Sequence, residues 1–161
     1  MAYASSNKIG INLAQADAGT TTDGENAKHT LGTMVTATDG SLWQYVQAGA
    51  AIHKNKYVCI DENFQAVHGT KALVDAGHGI GFCLVLRDSA GTAAVAGSAG
   101  VLDNDFFWAC VHGPGNIAGW LAASCAADVQ LYTTGTAGIL DDTSASQTLI
   151  RGIVAVTASP S

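Results

Sequence analysis

The side chains that could do chemistry here are five histidines, four cysteines and a few acidic clusters. His29, His53, His68, His78 and His112 form no His-x-x-x-His pair, and a metal site would need three of them to meet by folding. Their spacing reads as scattered surface or loop histidines, with His68 and His112 following strand-like runs and His78 preceding one. Cys59, Cys83, Cys110 and Cys125 make no Cys-x-x-Cys pair, so neither a zinc site nor a disulfide framework is expected; they read as buried free thiols. Asp103-Asn104-Asp105 and Asp141-Asp142 are rich in oxygen but lack the alternating acidic pattern of a calcium loop, and turn formation explains them. With Asp61-Glu62 they offer carboxylates for glycoside hydrolysis, yet nothing singles out a pair. Gly77-His78-Gly79-Ile80-Gly81 leads into a strand and lacks the Lys-Ser/Thr ending of a phosphate loop. Ala96-Gly97-Ser98-Ala99-Gly100 does not meet the Gly-x-Ser-x-Gly of a nucleophile elbow. The expectation is no catalytic constellation, no cofactor, no metal and no enzyme.

Composition narrows the remaining classes. The 161 residues suffice for one domain with a core, and only 12% are charged, about half the usual globular share. A surface so poor in charge suits a protein covered by partners or by copies of itself; a β domain rich in small residues is the plainer alternative. The net charge of -6 and the scattered Lys and Arg argue against nucleic acid. No apolar run reaches the roughly 18 residues of a membrane span, so no membrane partner is expected. The first residues lack the basic start and apolar block of a signal peptide, so synthesis in a cytosol is expected.

The elements that must position any site read as β throughout. Residues 1–30 are polar, with only Ile9, Ile11 and Leu13 alternating, and read as an N-terminal arm that lies across a neighbour or stays mobile. From residue 31 onward, 31–161 reads as one β-barrel or sandwich domain. Strands are expected at Leu31–Ala37 and Leu42–Ala48, joined by the Asp39-Gly40 turn, and at 56–61 and 64–67 as a second hairpin. Leu73-Val74 reads as an apolar pair in a loop, and 79–87 as a long strand whose glycines mark a bulge or a close backbone approach. Residues 88–102 hold either a strand around Thr92–Val95 or a surface loop. Phe106–Val111 alternates two apolar sets and reads as a strand covered on both faces. Elements near 116–122, 128–133, Ile139-Leu140 and 149–156 complete the series, and almost no helix is expected.

Shifting 56–87 forward by 71 positions sets Val58 on Val129, Ile60 on Leu131, Ala66 on Ala137, Gly81 on Gly152 and Val85 on Val156 without a gap. The expected fold is therefore all-β, a barrel or sandwich of about ten to twelve short strands, with pseudo-duplication as one option. In that reading Trp43–Ala48 opens the first half and Phe106–Val111 opens the second.

The order of these elements resembles a known family. Leu31-Gly32-Thr33 followed by Asp39-Gly40-Ser41-Leu42-Trp43-Gln44-Tyr45-Val46-Gln47-Ala48 resembles the start of capsid decoration (cement) proteins of tailed bacteriophages. So do Gly81-Phe82, Asn104-Asp105-Phe106-Phe107-Trp108 with Gly113, Gly138-Ile139-Leu140-Asp141-Asp142, and Arg151-Gly152-Ile153-Val154-Ala155-Val156. The resemblance covers residues 31–157 and rests on pattern and composition. It implies a virion protein made in the host bacterial cytoplasm that binds the major capsid protein on the outer capsid surface. It further implies a homotrimer near three-fold or quasi-three-fold positions, with the arm reaching neighbouring subunits; Ile9, Ile11 and Leu13 are then the capsid-binding candidates. The alternative is a carbohydrate- or receptor-binding β module of a phage fibre or cell surface.

Overall fold

The computed structural model describes residues 11–19, 27–86, 99–113 and 117–159. Among them run β1 (Met34–Thr36), β2 (Leu42–Ala48), β3 (Ile52–His53), β4 (Tyr57–Ile60) and β5 (Gln65–His68). A short helix α1 (Lys71–Asp75) follows, then β6 (Gly79–Cys83), β7 (Ala99–Val101), β8 (Phe106–His112), β9 (Gln130–Thr133), β10 (Leu140–Asp141) and β11 (Leu149–Val154). The fold is all-β, as expected.

Five of these strands close a barrel in the order β2-β5-β4-β6-β8, with β8 returning to β2. All its pairs are antiparallel except β2–β5, where Gln47 faces Gln65 and Ala48 faces Ala66 in parallel. One edge of β2 is shared. Its first half pairs with β1, Met34 opposite Gln44, and its last two residues pair with β5. The hairpin into β2 is set by Asp39, whose Oδ1 accepts the backbone N–H and the hydroxyl of Ser41 at 2.9 and 2.6 Å. Gly40 takes φ +84° there, which a residue without Cβ adopts freely.

A five-stranded barrel is narrow, so its interior must be filled by small side chains. Val46, Ala48, Val58, Ala66 and Ala109 supply them, with Phe107 as the large filler. The other face of the same strands is also buried. Tyr57, Cys59, Phe82 and Cys110 pack beneath a second, three-stranded sheet ordered β10-β9-β11. Tyr45, Phe106 and Trp108 form a third cluster against Leu13, Leu31 and Val35. β8 is thus buried from Phe106 to Cys110 on both faces.

Three expectations are corrected. β8 does not open a second half; it closes the barrel between β2 and β6, because only there are both its edges paired and both its faces covered. Leu73-Val74 lies in α1, not in a loop. The Thr70 hydroxyl caps it by accepting the Leu73 N–H at 3.4 Å, and both apolar side chains lean on the cluster beneath the second sheet. The described stretch 11–19, expected to be part of an arm, packs on the domain. Ala16 is buried in the barrel core, Asp17 pairs with Phe106 through hydrogen bonds of 2.7 and 2.8 Å, and Leu86 donates to Ala14 at 2.7 Å. Thr92–Val95 and the first ten residues lie outside the described residues.

Candidate functional site

A concavity lies where the barrel and the second sheet meet. β6 turns Ile80 and Phe82 outward, β9 and β10 contribute Leu131 and Leu140, and β11 contributes Ile150 and Ile153; together they bound a groove of about 660 Å³. The turn regions anchor one sheet to the other. Trp120 N–H donates to Asn55 at 3.1 Å, Gly138 N–H to Gly69 at 2.8 Å, and the Lys56 ammonium reaches Ala137 O at 3.1 Å while lying 5.1 Å from the Trp120 ring.

The rim of the groove is apolar and open to solvent. Val154 is 55% exposed, Val156 49% and Ile117 37%. Gly152, at φ +82°, lies where the β9–β11 register slips, between Leu149 opposite Tyr132 and Val154 opposite Gln130. That slip sends the end of β11 outward. Among the described residues the polar groups at the rim are basic or neutral: Arg151, His112 and Thr157 line the groove and no carboxylate does.

The two edges of the second sheet are treated differently. Beyond β10, Leu121 bridges Leu140, with Ala122 N–H donating to Leu140 O at 2.8 Å and Leu140 N–H to Trp120 O at 3.1 Å. Beyond β11, no strand of the described residues pairs. Sequence reasoning missed this groove because its parts lie far apart in the chain. The exposed valines at the end of β11 were the available signal.

The capsid-binding candidates fare unevenly. Ile9 lies outside the described residues. Ile11 is 38% exposed, whereas Leu13 is turned onto the chain's own Tyr45, Phe106 and Trp108. Behind Leu13 the strap is fastened by Asp17, which accepts the Tyr45 hydroxyl at 2.9 Å and pairs with Lys28. Asp105, at 5% exposure, accepts the Gly19 N–H at 2.8 Å through Oδ1, while its Oδ2 finds no partner among the described residues.

The histidines are not all scattered. His53 and His68 stack with centroids 5.1 Å apart, and the His53 backbone N–H donates to His68 Nε2 at 3.0 Å. Burial, then Lys56, then His53 pull the His68 imidazole down to about 4 from the ordinary 6.5. A bare Nε2 that accepts a hydrogen bond is the neutral form. His29 instead packs edge-on to Tyr45 at 5.1 Å. His68 and His112 end strands and His78 precedes one, as their positions in the chain suggested.

The acidic clusters are turn acceptors in this fold. Asp61 Oδ1 accepts the N–H groups of Asn63 and Gln65 at 2.9 and 2.8 Å, closing the β4–β5 turn. Asp142 accepts the Ala126 N–H at 2.8 Å and Asp141 accepts that of Asp142 at 2.9 Å. Cys125, Asp141 and Asp142 could offer three ligand atoms to a metal, all within 4.8 Å of one another. Burial first and then the carboxylates of Asp142 and Asp141 push the Cys125 thiol up. All four cysteines are buried and unpaired, as expected. Comparison of the chain with protein-family models, with curated proteins and with solved structures finds no match.

Proposed function

We propose that this chain is a structural decoration protein of a tailed-phage head, bound to the outer face of the major capsid protein. The observation that carries the reading is the run of residues from 31 to 157 that resembles that family, from Asp39-Gly40-Ser41-Leu42-Trp43 through Asn104-Asp105-Phe106-Phe107-Trp108 to Arg151-Gly152-Ile153. The low charge and the apolar rim at Ile117, Val154 and Val156 support a life spent against another protein surface. In this reading the protein sits as a trimer at or near three-fold positions. It stabilises the shell by mass action, because it binds the assembled lattice and not free subunits. Symmetric copies add avidity, so each contact can be modest.

The test compares heads with and without the protein. Undecorated heads release their genome at lower temperature or on chelation, and equal stability of the two kinds of particle refutes the proposal. The arm needs a finer cut than removal of residues 1–30, since that deletion also strips Ala16, Asp17 and Lys28 from the domain. Removing residues 1–10 together with Ile11→Ser leaves those contacts in place. Weaker attachment of that variant, with an unchanged melting temperature, assigns Ile9 and Ile11 to the capsid contact, and unchanged occupancy removes them from it. The glycan-binding alternative draws no support from the tryptophans, because Trp108 is buried and Trp43 and Trp120 are mostly buried rather than displayed.

A further inference from the structure

β11 and the groove beside it have the parts of a strand-addition site. The outer edge of β11 is unpaired among the described residues, while the opposite edge of the same sheet is covered by Leu121. Exposed edges are ordinarily blunted by charge, proline or a very short strand, because their free N–H and C=O groups template another chain. Here a six-residue strand carries one charge, Arg151, and ends on exposed Val154 with Val156 beyond it. Alternate side chains of an added strand would point into the groove, whose floor of Phe82, Leu131 and Ile150 is apolar.

Charge selects the occupant. The chain carries a net charge of -6, yet among the described residues no carboxylate lines the groove, while the Arg151 guanidinium and the His112 imidazole do. Two copies paired edge to edge through β11 would bring Arg151 to the same edge from both sides, like charge beside like charge, whereas a partner segment with a carboxylate gains a charge-assisted hydrogen bond. We propose that the free edge of β11 and its groove take up an extended apolar segment of a partner protein that carries one carboxylate opposite Arg151. The proposal rests on the decoration reading only for the source of that segment, the shell subunit; the site itself stands on the edge, the groove and its charge.

The experiment uses the full chain and two blocked synthetic peptides that alternate valine and threonine, one with a central glutamate and one with lysine in its place. The glutamate peptide is expected to bind about tenfold or more tighter than its lysine twin. Binding protects backbone amides along β11 from hydrogen exchange, which a ligand seated only in the groove does not do. Arg151→Glu reverses the preference, and Val154→Lys removes binding of both peptides with no change in melting temperature. Equal affinity for the two peptides, binding unaffected by Val154→Lys, or absence of binding overturns the proposal. So does a self-associated chain that Val154→Lys dissociates, since a second copy then fills the groove. So does decanoate uptake without protection of β11, since the groove then holds a small amphiphile. Shell binding separates the two readings. Val154→Lys protein that decorates heads as the wild type does overturns the groove proposal and leaves decoration standing. Wild-type protein that discriminates the peptides but ignores heads does the reverse.

Discussion

The chain contains two three-stranded meanders of the same construction, and they meet different fates. In each, the first strand lies in the middle, the second pairs with it through a short turn, and a long glycine-containing strand returns on the other side: β5-β4-β6 and β10-β9-β11. The start of the returning strand keeps the register too: Val58 faces Gly81 in the first, and carrying that register forward by 71 positions predicts Tyr132 opposite Leu149, the pair observed in the second. The turn-linked pair does not keep it, since Cys59 faces Val67 in the first but Thr133 faces Leu140 in the second. The local pattern therefore dictates the meander, but not what becomes of it. The first meander has β2 and β8 along its two edges and is closed into a barrel. The second has a few residues around Leu121 along one edge and, among the described residues, nothing along the other. Both aromatic strands are used by the first, so the second remains a lid with a free edge.

The glycines make the same contrast. A Cβ on Gly81 would come to 3.2 Å from that of Ala109 and 3.4 Å from Cys110 O, so this glycine lets β6 and β8 approach closely. A Cβ on Gly152 would meet nothing within 4 Å, but the residue takes φ +82°. Of the two roles expected for glycines in such a strand, close approach and bulge, each copy uses one.

If the barrel is the rigid unit and the second sheet its lid, removing the barrel's large filler should do the most damage. Phe107→Ala empties the interior and should destabilise the protein by about 3–5 kcal/mol, with loss of exchange protection everywhere. Ile150→Ala, beneath the lid, should lose about 2–4 kcal/mol. Its first effect should be on protection in β9 and β11, with β2 and β8 still slow. Denaturant titration and amide exchange measure both. Simultaneous loss of protection in both sheets of the Ile150 variant would make them one cooperative unit and end the comparison.

The junction between the two comes next. A Cβ on Gly69 would lie 1.8 Å from Cε2 of Tyr57, a buried ring whose hydroxyl finds no hydrogen-bond partner. Gly69 O also accepts the Gly138 N–H that ties the lid's turn to the barrel. Gly69→Ala should lower stability by about 2–3 kcal/mol, because Tyr57 must leave its place in the shared core. Tyr57→Phe removes the unpartnered hydroxyl and should be neutral or stabilising. Thermal melts of the two variants should move in opposite directions, or the second should not move.

A smaller effect belongs to the barrel alone. His68 is held neutral in the folded chain down to about pH 4, while the unfolded chain takes up its proton near 6.5. Above pH 6.5 neither state is protonated and this group loses nothing. Between 6.5 and about 4 the unfolded state binds the extra proton, so stability falls as pH falls; below 4 the group adds no further loss. Because the ring is only half-buried, the total is on the order of 1 kcal/mol. His68→Gln, whose Oε1 can accept the His53 N–H, should flatten that part of the stability–pH curve; an unchanged slope would move the titration to another group.

Much of the barrel was legible in the residues. Phe106–Val111 announced itself because a strand buried on both faces carries two interleaved apolar sets, and the Asp39-Gly40 turn with the alternation after it marked Leu42–Ala48. Pairing was not legible. β2 and β8 lie some sixty residues apart in the chain, and the parallel join of Gln47 to Gln65 follows no local rule. The His53–His68 stack depends on that join and was invisible for the same reason. The strap escaped detection because Ala16 and Asp17 make specific contacts in a stretch whose composition looks unable to order itself. The groove and its free edge could be read only after the second meander was seen to stand apart from the barrel.

The smallest predicted effect bears most directly on that edge. Gly152→Ala meets no neighbour, so its penalty is the left-handed backbone alone, about 1 kcal/mol. The bulge, however, is what turns Val154 outward and lets the register slip against β9. An alanine that relaxes to an extended conformation would carry the register of Leu149 through to the end of β11, as β6 does against β4, and shift the side-chain alternation beyond position 152. Amide exchange and chemical shifts at Val154 and Val156 distinguish the outcomes. Loss of the glutamate-peptide preference together with a restored register would show that the groove is a product of the bulge. A stable variant with the bulge intact would show that the strap at Leu121 and the turn at Gly138, rather than Gly152, hold the lid away from barrel-like pairing.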